Sequence, residues 1–369
     1  MSAASPLAAG VGAAGAGSIP TGTLGGSGVM AELSPAWFGA LAETTLAAGE
    51  CAEMAREGDA ILPIAVSMRG ARGLTAPYTT RYAPMAENVE SARALGAKAK
   101  TYVRTVLRLD AMDAEDPVTA AFLDGLGQSG LALACYGHFI CRREKVSGFT
   151  SYWAERPSRL RNTWRRKASA AEKAGAQFTV LRDNFSEAMK LYEAIREASW
   201  KGAEPHPGFL PLMVERLGAE GMVRMGLMRL GGEAVAAQIW LVAQGRATIF
   251  KLVHRRDHDA YSPGTLLTAV MAAAVLDSDA IAELDFGRGD DPYKRDWAKD
   301  CVRRIGVIAA NVTTTAGLSV YLREILPMRM MRAMRRQEGE NRAASVAFHA
   351  APFLSAPERE SKLRQEARA

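Results

Sequence analysis

The chain has 369 residues, of which 48 % are hydrophobic and 23 % are charged, and its formal net charge is +6. This length predicts two domains, and the composition excludes a wholly disordered protein, a collagen and a coiled coil. The basic charge favours an anionic partner, such as nucleic acid, a phosphate-bearing ligand or a lipid surface. The four cysteines form no CxxC pair, which indicates reduced, buried thiols in a cytosolic protein and no zinc site.

Residues 1–31 carry no charged side chain and consist largely of small residues. Such a segment buries too little apolar surface to offset the entropy lost on ordering, so it is predicted to be a disordered tail. Gly10, Gly12 and Gly15 fit a GxGxxG pattern, but no strand precedes them, and low complexity explains the match. No other stretch reaches 18 apolar residues without a charge, so no membrane-spanning helix is expected.

The first half alternates helical and extended patterns. The elements predicted there are helices over 33–57 and 116–126 and strands over 61–68, 101–109 and 131–141. This alternation predicts an α/β domain over 32–148.

A strongly basic helix is predicted to start after Pro157. Six cations fall within twelve residues of this region: Arg156, Arg159, Arg161, Arg165, Arg166 and Lys167. Guanidinium groups form paired hydrogen bonds with phosphate, so Arg159, Arg161 and Arg165 are candidate contacts for the donor or the acceptor. The alternative is a solvated helix face.

A three-stranded meander follows, with strands predicted over 222–230, 233–242 and 246–253. Gly231-Gly232 and Gln244-Gly245 suit its two tight turns. Ser262 suits an N-cap and Pro263 the first position of the next helix, which is predicted to run to residue 276. The free N–H groups at that helix start predict an anion site, whereas the alternative is an ordinary capped helix. Two further strands are predicted over 282–286 and 302–311.

Several short motifs follow one another along the chain between about residues 150 and 315. They are Arg159–Lys167, Ser199-Trp200-Lys201-Gly202, Gly232–Leu241, Lys251, Tyr261-Ser262-Pro263-Gly264, Leu284-Asp285-Phe286-Gly287 and Tyr293-Lys294-Arg295-Asp296-Trp297. Together they resemble the GNAT superfamily, and more specifically the CelD/BcsL-type acetyltransferases, relatives of the Fem-type aminoacyltransferases. The resemblance implies an α/β (α+β) fold of tandem GNAT-like domains, each a mixed, largely antiparallel sheet flanked by helices. The second domain is expected over 149–336, followed by a flexible tail over 337–369.

The resemblance also implies acyl-CoA as the donor. Its pyrophosphate would lie at the helix start near Tyr261, Ser262, Pro263 and Gly264, with Lys251 on the preceding strand. Residues 256–264 depart from the usual phosphate signature of that superfamily, and some relatives accept aminoacyl-tRNA, so a tRNA-dependent aminoacyltransferase is the alternative. A non-catalytic protein of this fold in polysaccharide assembly is a further alternative. No metal is expected, because Asp290 and Asp291 lack further ligands at metal spacing.

Amine acylation needs a proton acceptor and a group that stabilises the oxyanion. Lys294 matches the lysine of a Tyr-Lys pair in the Fem-type branch and would stabilise negative charge, although a surface lysine is the alternative. Asp285 is predicted to orient the amine or accept its proton, with a turn residue or a salt bridge as alternatives. His206 is a candidate general base or an ordinary loop histidine. The candidate substrate contacts beside them are Trp200, Lys201 and Tyr293.

The segment 318–336 mixes leucine and methionine with arginine. Such a basic amphipathic pattern predicts contact with an anionic membrane, with packing onto its own domain as the alternative. The leading hypothesis is an N-acyltransferase acting on an envelope amine. That amine is either an aminolipid, as in ceramide-synthase-like acylation of a sphingoid base, or an amino sugar. We expect a cytoplasmic location with peripheral contact at the inner membrane face, and no nucleic-acid partner.

Overall fold

The computed structural model describes residues 29–332. Apart from residues 29–31, the two predicted tails lie outside this range. Ala31 is buried at the start of a short 3₁₀ turn, Ala31–Leu33, which leads into the first helix. The end of the predicted amphipathic segment, residues 333–336, also lies outside the described residues.

Within residues 29–332, eleven strands form one continuous mixed sheet in the order β1-β2-β3-β4-β11-β5-β10-β9-β8-β7-β6. The strands are β1 (Cys51–Glu57), β2 (Ala60–Ser67), β3 (Gly70–Gly73), β4 (Val106–Met112), β5 (Ala132–Lys145), β6 (Gln177–Leu181), β7 (Val223–Leu230), β8 (Glu233–Ala243), β9 (Arg246–His254), β10 (Glu283–Arg288) and β11 (Asp300–Ala310). The predicted fold class, a mixed sheet flanked by helices, is confirmed.

Ten α-helices cover this sheet in the described range. They are α1 (Pro35–Thr44), α2 (Val89–Ala97), α3 (Pro117–Gln128), α4 (Phe149–Ala154), α5 (Ser158–Lys173), α6 (Ser186–Glu197), α7 (Phe209–Ala219), α8 (Pro263–Leu276), α9 (Lys294–Trp297) and α10 (Thr315–Val320). A π-helical turn, Tyr321–Ile325, extends α10, and the helix resumes over 326–332.

The last strand lies in the first half of the sheet. β11 pairs antiparallel with β4 on one side and with β5 on the other. The division at residue 148 stays a prediction, but a strand from the expected second domain separates two strands of the expected first domain.

The helix predicted over 33–57 is too long. α1 ends at Thr44, where the Thr44 and Thr45 hydroxyls donate to the carbonyls of Ala40 and Leu41. Gly49 then adopts a positive φ of 81°, and β1 pairs along its whole length with β2. Strand pairing here overrides the helix propensity of an alanine-rich sequence.

Helices α2 and α3 pack with their backbones in close contact. A Cβ on Gly125 would lie 1.9 Å from the carbonyl oxygen of Arg93, and a Cβ on Gly96 would lie 2.2 Å from that of Phe122. Only glycine fits this crossing. Asn88 and Asp116 fix where the helices begin, because their side chains accept N–H bonds from the first turns.

The core joins the two halves of the chain. Trp37 on α1 is fully buried, and its ring contacts Phe209 of α7 edge to face at 5.1 Å. A second cluster lies beneath α5 and α8 and includes Trp240, Met271 and Trp297. Of the cysteines, predicted to be buried, Cys141 is buried, whereas Cys51 and Cys301 are exposed.

Candidate functional site

Strands β9 and β10 pair in parallel over only three residues each. The pairs run from Arg246–Glu283 to Thr248–Asp285. β9 continues to His254 with β8 as its partner, while β10 shifts register against β5 after Asp285. Within the described residues, residues 249–254 of β9 therefore have no strand partner on the side of β10. We call this place the β9–β10 opening.

Helix α8 begins at the end of β9 beside this opening. Its first turn is tied to the sheet because the fully buried Gln238 donates to Thr268 Oγ1 at 2.7 Å and to the Gly264 carbonyl at 3.3 Å. Ser262 occupies the predicted N-cap position with a φ of 53°, but its side chain makes no capping bond, and Pro263 has no N–H. The positive end of α8 is therefore left without a side-chain cap.

His254 stands next to this helix start. A Cβ on Gly264 would lie 3.4 Å from His254 Nδ1, while Nε2 is 2.9 Å from Asp259. Nδ1 is buried and has no hydrogen-bond partner among the described residues. Burial lowers the pKa of the imidazole, against the opposing effect of Asp259. Because Nε2 faces the carboxylate of Asp259, it carries the proton of the neutral ring and Nδ1 is an acceptor, so the feature here that fits a phosphate-bearing ligand is the helix N-terminus.

Three lysines converge on the opening from different elements. Lys251 on β9 pairs with both oxygens of Glu204 at 3.0 Å. Lys294 on α9 is buried; its Nζ donates to the Arg288 carbonyl at 2.7 Å and pairs with Asp291 at 3.1 Å. Lys201 donates to the carbonyl of Leu252 on β9.

The pKa of Lys201 is lowered to about 8. The largest cause is desolvation by the surrounding protein, followed by the nearby charge of Lys251, and Lys294 adds to the effect. Lys201 is nevertheless exposed, so solvent still reaches its side chain. Desolvation also lowers the pKa of Lys251. The opening therefore holds an amine that is partly neutral near physiological pH.

The first half of the chain contributes Tyr78, which lies between β3 and α2. Its hydroxyl accepts the N–H of His206 at 3.1 Å, and its ring is 4.6 Å from Lys251 Nζ. Burial is the main cause that raises the pKa of Tyr78 to about 12, and Glu204 adds to it. Tyr78 and Glu204 are not among the residues predicted from the sequence. Glu204 lies three residues after Lys201, a weak signal, whereas nothing near Tyr78 in the sequence points to it.

The predicted catalytic residues do not all face the opening. Asp285 is buried, and its carboxylate accepts the N–H of Gly287 at 2.8 Å, which supports the turn-residue alternative. Burial raises its pKa, mainly opposed by Arg304. His206 is half-buried, and its imidazole contacts the Tyr78 ring at 6.2 Å between centroids. Both catalytic roles stay predictions.

The cations in and just before the basic helix α5 have different partners. Arg156 is buried and pairs with Glu144, Arg159 pairs with Asp296, and Lys167 donates to the carbonyl of Ala260. Arg165 is exposed and Arg161 half-buried, with its Nε lacking a hydrogen-bond partner among the described residues. Helix α5 therefore lies against the segment that leads into α8.

The remaining predicted contacts are aromatic. Trp200 is 45 % exposed, and its ring centroid is 4.4 Å from that of His254. Tyr293 is 53 % exposed beside Lys294, whereas Tyr261 packs against the second cluster. Trp200 and Tyr293 offer apolar area at the rim of the site.

Within residues 29–332, no group of three or more His, Cys, Asp or Glu side chains could hold a metal ion. The same residues include no helix with the length and hydropathy needed to span a bilayer.

Comparison with solved structures shows similarity in fold. The "C-terminal Domain (DUF2156) of Putative Lysylphosphatidylglycerol Synthetase" from Agrobacterium fabrum is 11 % identical, with a TM-score of 0.53 over 74 % of this chain and 88 % of that chain. FemX is 10 % identical, with a TM-score of 0.52 over 72 % and 90 %. A conserved protein of unknown function from Bacteroides thetaiotaomicron is 9 % identical, with a TM-score of 0.53 over 76 % and 91 %.

No curated protein matches the sequence. The model of the acetyltransferase (GNAT) domain family matches residues 158–295, which contain α5, the meander, α8, β10 and Lys294. This match identifies a GNAT-type acetyltransferase domain in residues 158–295.

Proposed function

We propose that this protein is an N-acyltransferase that moves an acyl group from acyl-CoA to an amine. The observation that carries the proposal is the β9–β10 opening, which places an uncapped helix N-terminus beside three lysines. The GNAT domain match supports the same reaction class.

The donor's phosphates would bind at the start of α8. The Gly264 N–H is the nearest backbone donor in the segment Tyr261–Gly264, because Pro263 has no N–H and the Thr265 and Leu266 N–H groups donate to the Ser262 carbonyl. Arg161 and Arg165 on α5 would contact the outer phosphates, while Arg159 would first have to release Asp296.

The chemistry needs a proton acceptor and a cation near the acyl carbon. The amine nitrogen attacks the thioester carbonyl, forming a C–N bond as the C–S bond breaks, and the amine proton passes to a base. We assign that base to Lys201, because an amine with a pKa of about 8 is partly neutral near pH 7 to 8. Lys294 would stabilise the oxyanion, and the proton that Lys201 accepts would pass to the departing thiolate.

The acceptor and the branch of the superfamily belong to the same proposal. We place the protein with the CelD/BcsL-type acetyltransferases, acting in the cytoplasm on an aminolipid or an amino sugar. Trp200 and Tyr293 at the rim would contact the acyl chain or the acceptor.

A second candidate is a tRNA-dependent aminoacyltransferase. The exposed cations Arg165 and Arg166 on α5 and the fold shared with FemX favour it. RNA binding would then weaken steeply as salt rises, because phosphate contacts release counterions.

A binding and transfer assay tests both candidates. Melting temperature is measured with acetyl-, short-chain and long-chain acyl-CoA and with charged tRNA, and thiol release is followed with an amine present. Acyl transfer from acyl-CoA supports the leading proposal. A shift in melting temperature with charged tRNA alone supports the second candidate. No shift and no transfer with either donor overturns both. Lys294→Met is expected to lower kcat about 100-fold. Lys98→Met, an exposed lysine in the first half, serves as the control.

A further inference from the structure

One surface of the molecule combines exposed apolar side chains with arginines. Met68 is fully exposed at the tip of the β2–β3 hairpin, and Leu322 and Met330 are 53 % and 56 % exposed. The exposed apolar members of this surface are Met68, Val312, Leu318, Leu322, Met330 and Met331. We call this set the apolar–basic surface.

Hydrogen bonds join the parts of this surface. Asn311, at the end of β11, donates its N–H to the Thr105 carbonyl at 2.7 Å. The Thr105 hydroxyl in turn donates to the Arg69 carbonyl at 3.2 Å. The hairpin tip, the segment before β4 and the start of α10 are therefore neighbours, although they are up to about 240 residues apart in sequence.

The C-terminal helix is held in place by its inner side. Val320, Tyr321 and Ile325 pack on Val106 and Ile308 of the sheet. One side of the helix therefore packs onto its own domain, which was the alternative expected for this segment. The leucines and methionines on its other side remain exposed in the described structure. Packing onto its own domain does not account for these outward residues.

The charge of this surface is positive. Arg69, Arg104, Arg323 and Arg329 are exposed there. Glu324 is the acid between residues 312 and 332, and Arg108 neutralises it through two hydrogen bonds of 2.6 and 2.9 Å. Apolar groups ringed by cations complement an anionic lipid headgroup layer above hydrocarbon.

The surface and the β9–β10 opening lie toward the same side of the sheet, because the strands that lead to them run in one direction. β10 and β11 both run antiparallel to β5, and β9 runs parallel to β10. β2 has the same direction, because it is antiparallel to β3 and β3 is parallel to β4. The carboxyl ends of these four strands therefore point to the same side of the sheet. Along β5, the end of β11 lies nine residues beyond the end of β10, because Ala310 pairs with Ala132 and Arg288 pairs with Cys141.

We propose that the apolar–basic surface docks on an anionic membrane and that the acceptor amine is presented by a lipid in that membrane. The docking proposal is argued from this surface alone, whereas the identity of the acceptor rests on the proposed function. An amphiphile held in the bilayer would reach the opening from the side of the sheet that faces the membrane.

Vesicle sedimentation tests the docking with the full chain. The protein is expected to bind vesicles of phosphatidylcholine mixed with phosphatidylglycerol, to ignore phosphatidylcholine alone, and to release as salt rises. Leu322→Glu and Met330→Glu should each weaken binding about tenfold or more, and Arg323→Glu about fivefold or more. Phe178→Glu makes the same apolar-to-acid change on the edge strand β6 and should leave binding unchanged.

The substituted residues are exposed, so melting curves should match the wild type and exclude misfolding as the cause. Equal binding by Leu322→Glu and wild type would overturn the docking proposal. A wild-type dimer that Leu322→Glu dissociates would also overturn it, because the surface would then be an interface between copies of this chain.

Acyl transfer to an amine lipid in vesicles, compared with a soluble amine of the same headgroup, tests the acceptor. Faster transfer to the vesicle amine, lost in Leu322→Glu, supports it. Equal rates overturn the lipid acceptor while the acyltransferase proposal stands. Docking without any transfer contradicts the proposed function and leaves the docking supported.

Discussion

At the scale of single residues, charged side chains are buried where the two halves of the molecule meet. Arg304 on β11 is fully buried; it donates to the Thr80 carbonyl at 3.2 Å and pairs with Asp113. Asp285 lies close enough for Arg304 to oppose the rise in its pKa. One guanidinium thus compensates two buried carboxylates contributed by distant parts of the sequence.

Replacing Arg304 should destabilise the fold strongly. Arg304→Met leaves the buried Asp113 with the more distant Arg143, at 3.8 Å, as its remaining cation, and removal of one partner of a buried pair costs about 3–5 kcal/mol. Urea unfolding measures the loss in free energy of unfolding. The double variant Arg304→Met/Asp113→Leu should recover part of that loss because it removes one orphaned charge. A single-variant loss under about 1 kcal/mol would contradict the role given to this pair.

The lowered pKa of Lys201 predicts a pH profile. The base must be neutral to accept a proton, so kcat/KM should rise with pH, reach half of its limiting value near pH 8 and level off above that pH. Lys201→Gln should remove this limb, whereas Lys190→Met, an exposed lysine on α6, should keep it. A rise that persists unchanged in Lys201→Gln would assign the base elsewhere, with His206 as the next candidate.

The same shift predicts a small effect on stability. The protonated lysine is disfavoured in the folded state, so the unfolded chain binds more protons between pH 8 and the ordinary pKa of 10.5. Stability from this group therefore rises with pH across that window and is lowest below pH 8. Solvent contact keeps the effect small, and comparing urea unfolding of wild type and Lys201→Met across pH measures it.

At the scale of elements, the sequence predicted the second half well where local signals are strong. The meander strands and α8 agree with prediction to within one residue at each end, because Gly231, Gly232 and Gly245 take the positive φ values that tight turns need. β1 was missed because its alanine-rich sequence favours a helix until β2 pairs with it. The site was only partly predictable, since Tyr78 meets Lys251 through a fold-level contact that leaves no local pattern.

The crossing of α2 and α3 predicts a contrast between two glycines of one helix. Gly125→Ala would press a methyl group against the Arg93 carbonyl and should cost about 2 kcal/mol or more. Gly127→Ala meets nothing within 4 Å on the exposed side of α3 and should stabilise the protein by up to about 1 kcal/mol. Thermal unfolding of both variants checks this, and equal melting temperatures would be inconsistent with the close crossing.

At the scale of the whole molecule, the two halves are joined by strand order as well as by a shared core. β11 supplies hydrogen bonds to both β4 and β5, which do not otherwise form a continuous ladder. α1 and α7 add the Trp37–Phe209 contact between the halves. The site draws on both halves in the same way, because Tyr78 approaches residues of the GNAT domain.

This strand order predicts that the halves depend on each other to fold. Residues 1–147 alone lack the strand between β4 and β5, so we expect no cooperative unfolding transition by circular dichroism. Mixing this fragment with residues 148–369 should restore a single transition. A cooperative transition in the isolated first fragment would show that its sheet closes without β11.

The position of β11 also has a consequence for synthesis on the ribosome. Ala310, the last residue of β11, follows Lys145 by 165 residues. At ~5–20 residues per second, the facing edges of β4 and β5 therefore stay unpaired for about 10–30 s before the strand that separates them is synthesised. The unpaired N–H and C=O groups of an open strand edge form hydrogen bonds with strands of other chains, which leads to aggregation. Nascent molecules of this protein should therefore depend on chaperones until the last strand emerges, and slowing translation between these points should lower the yield of native protein.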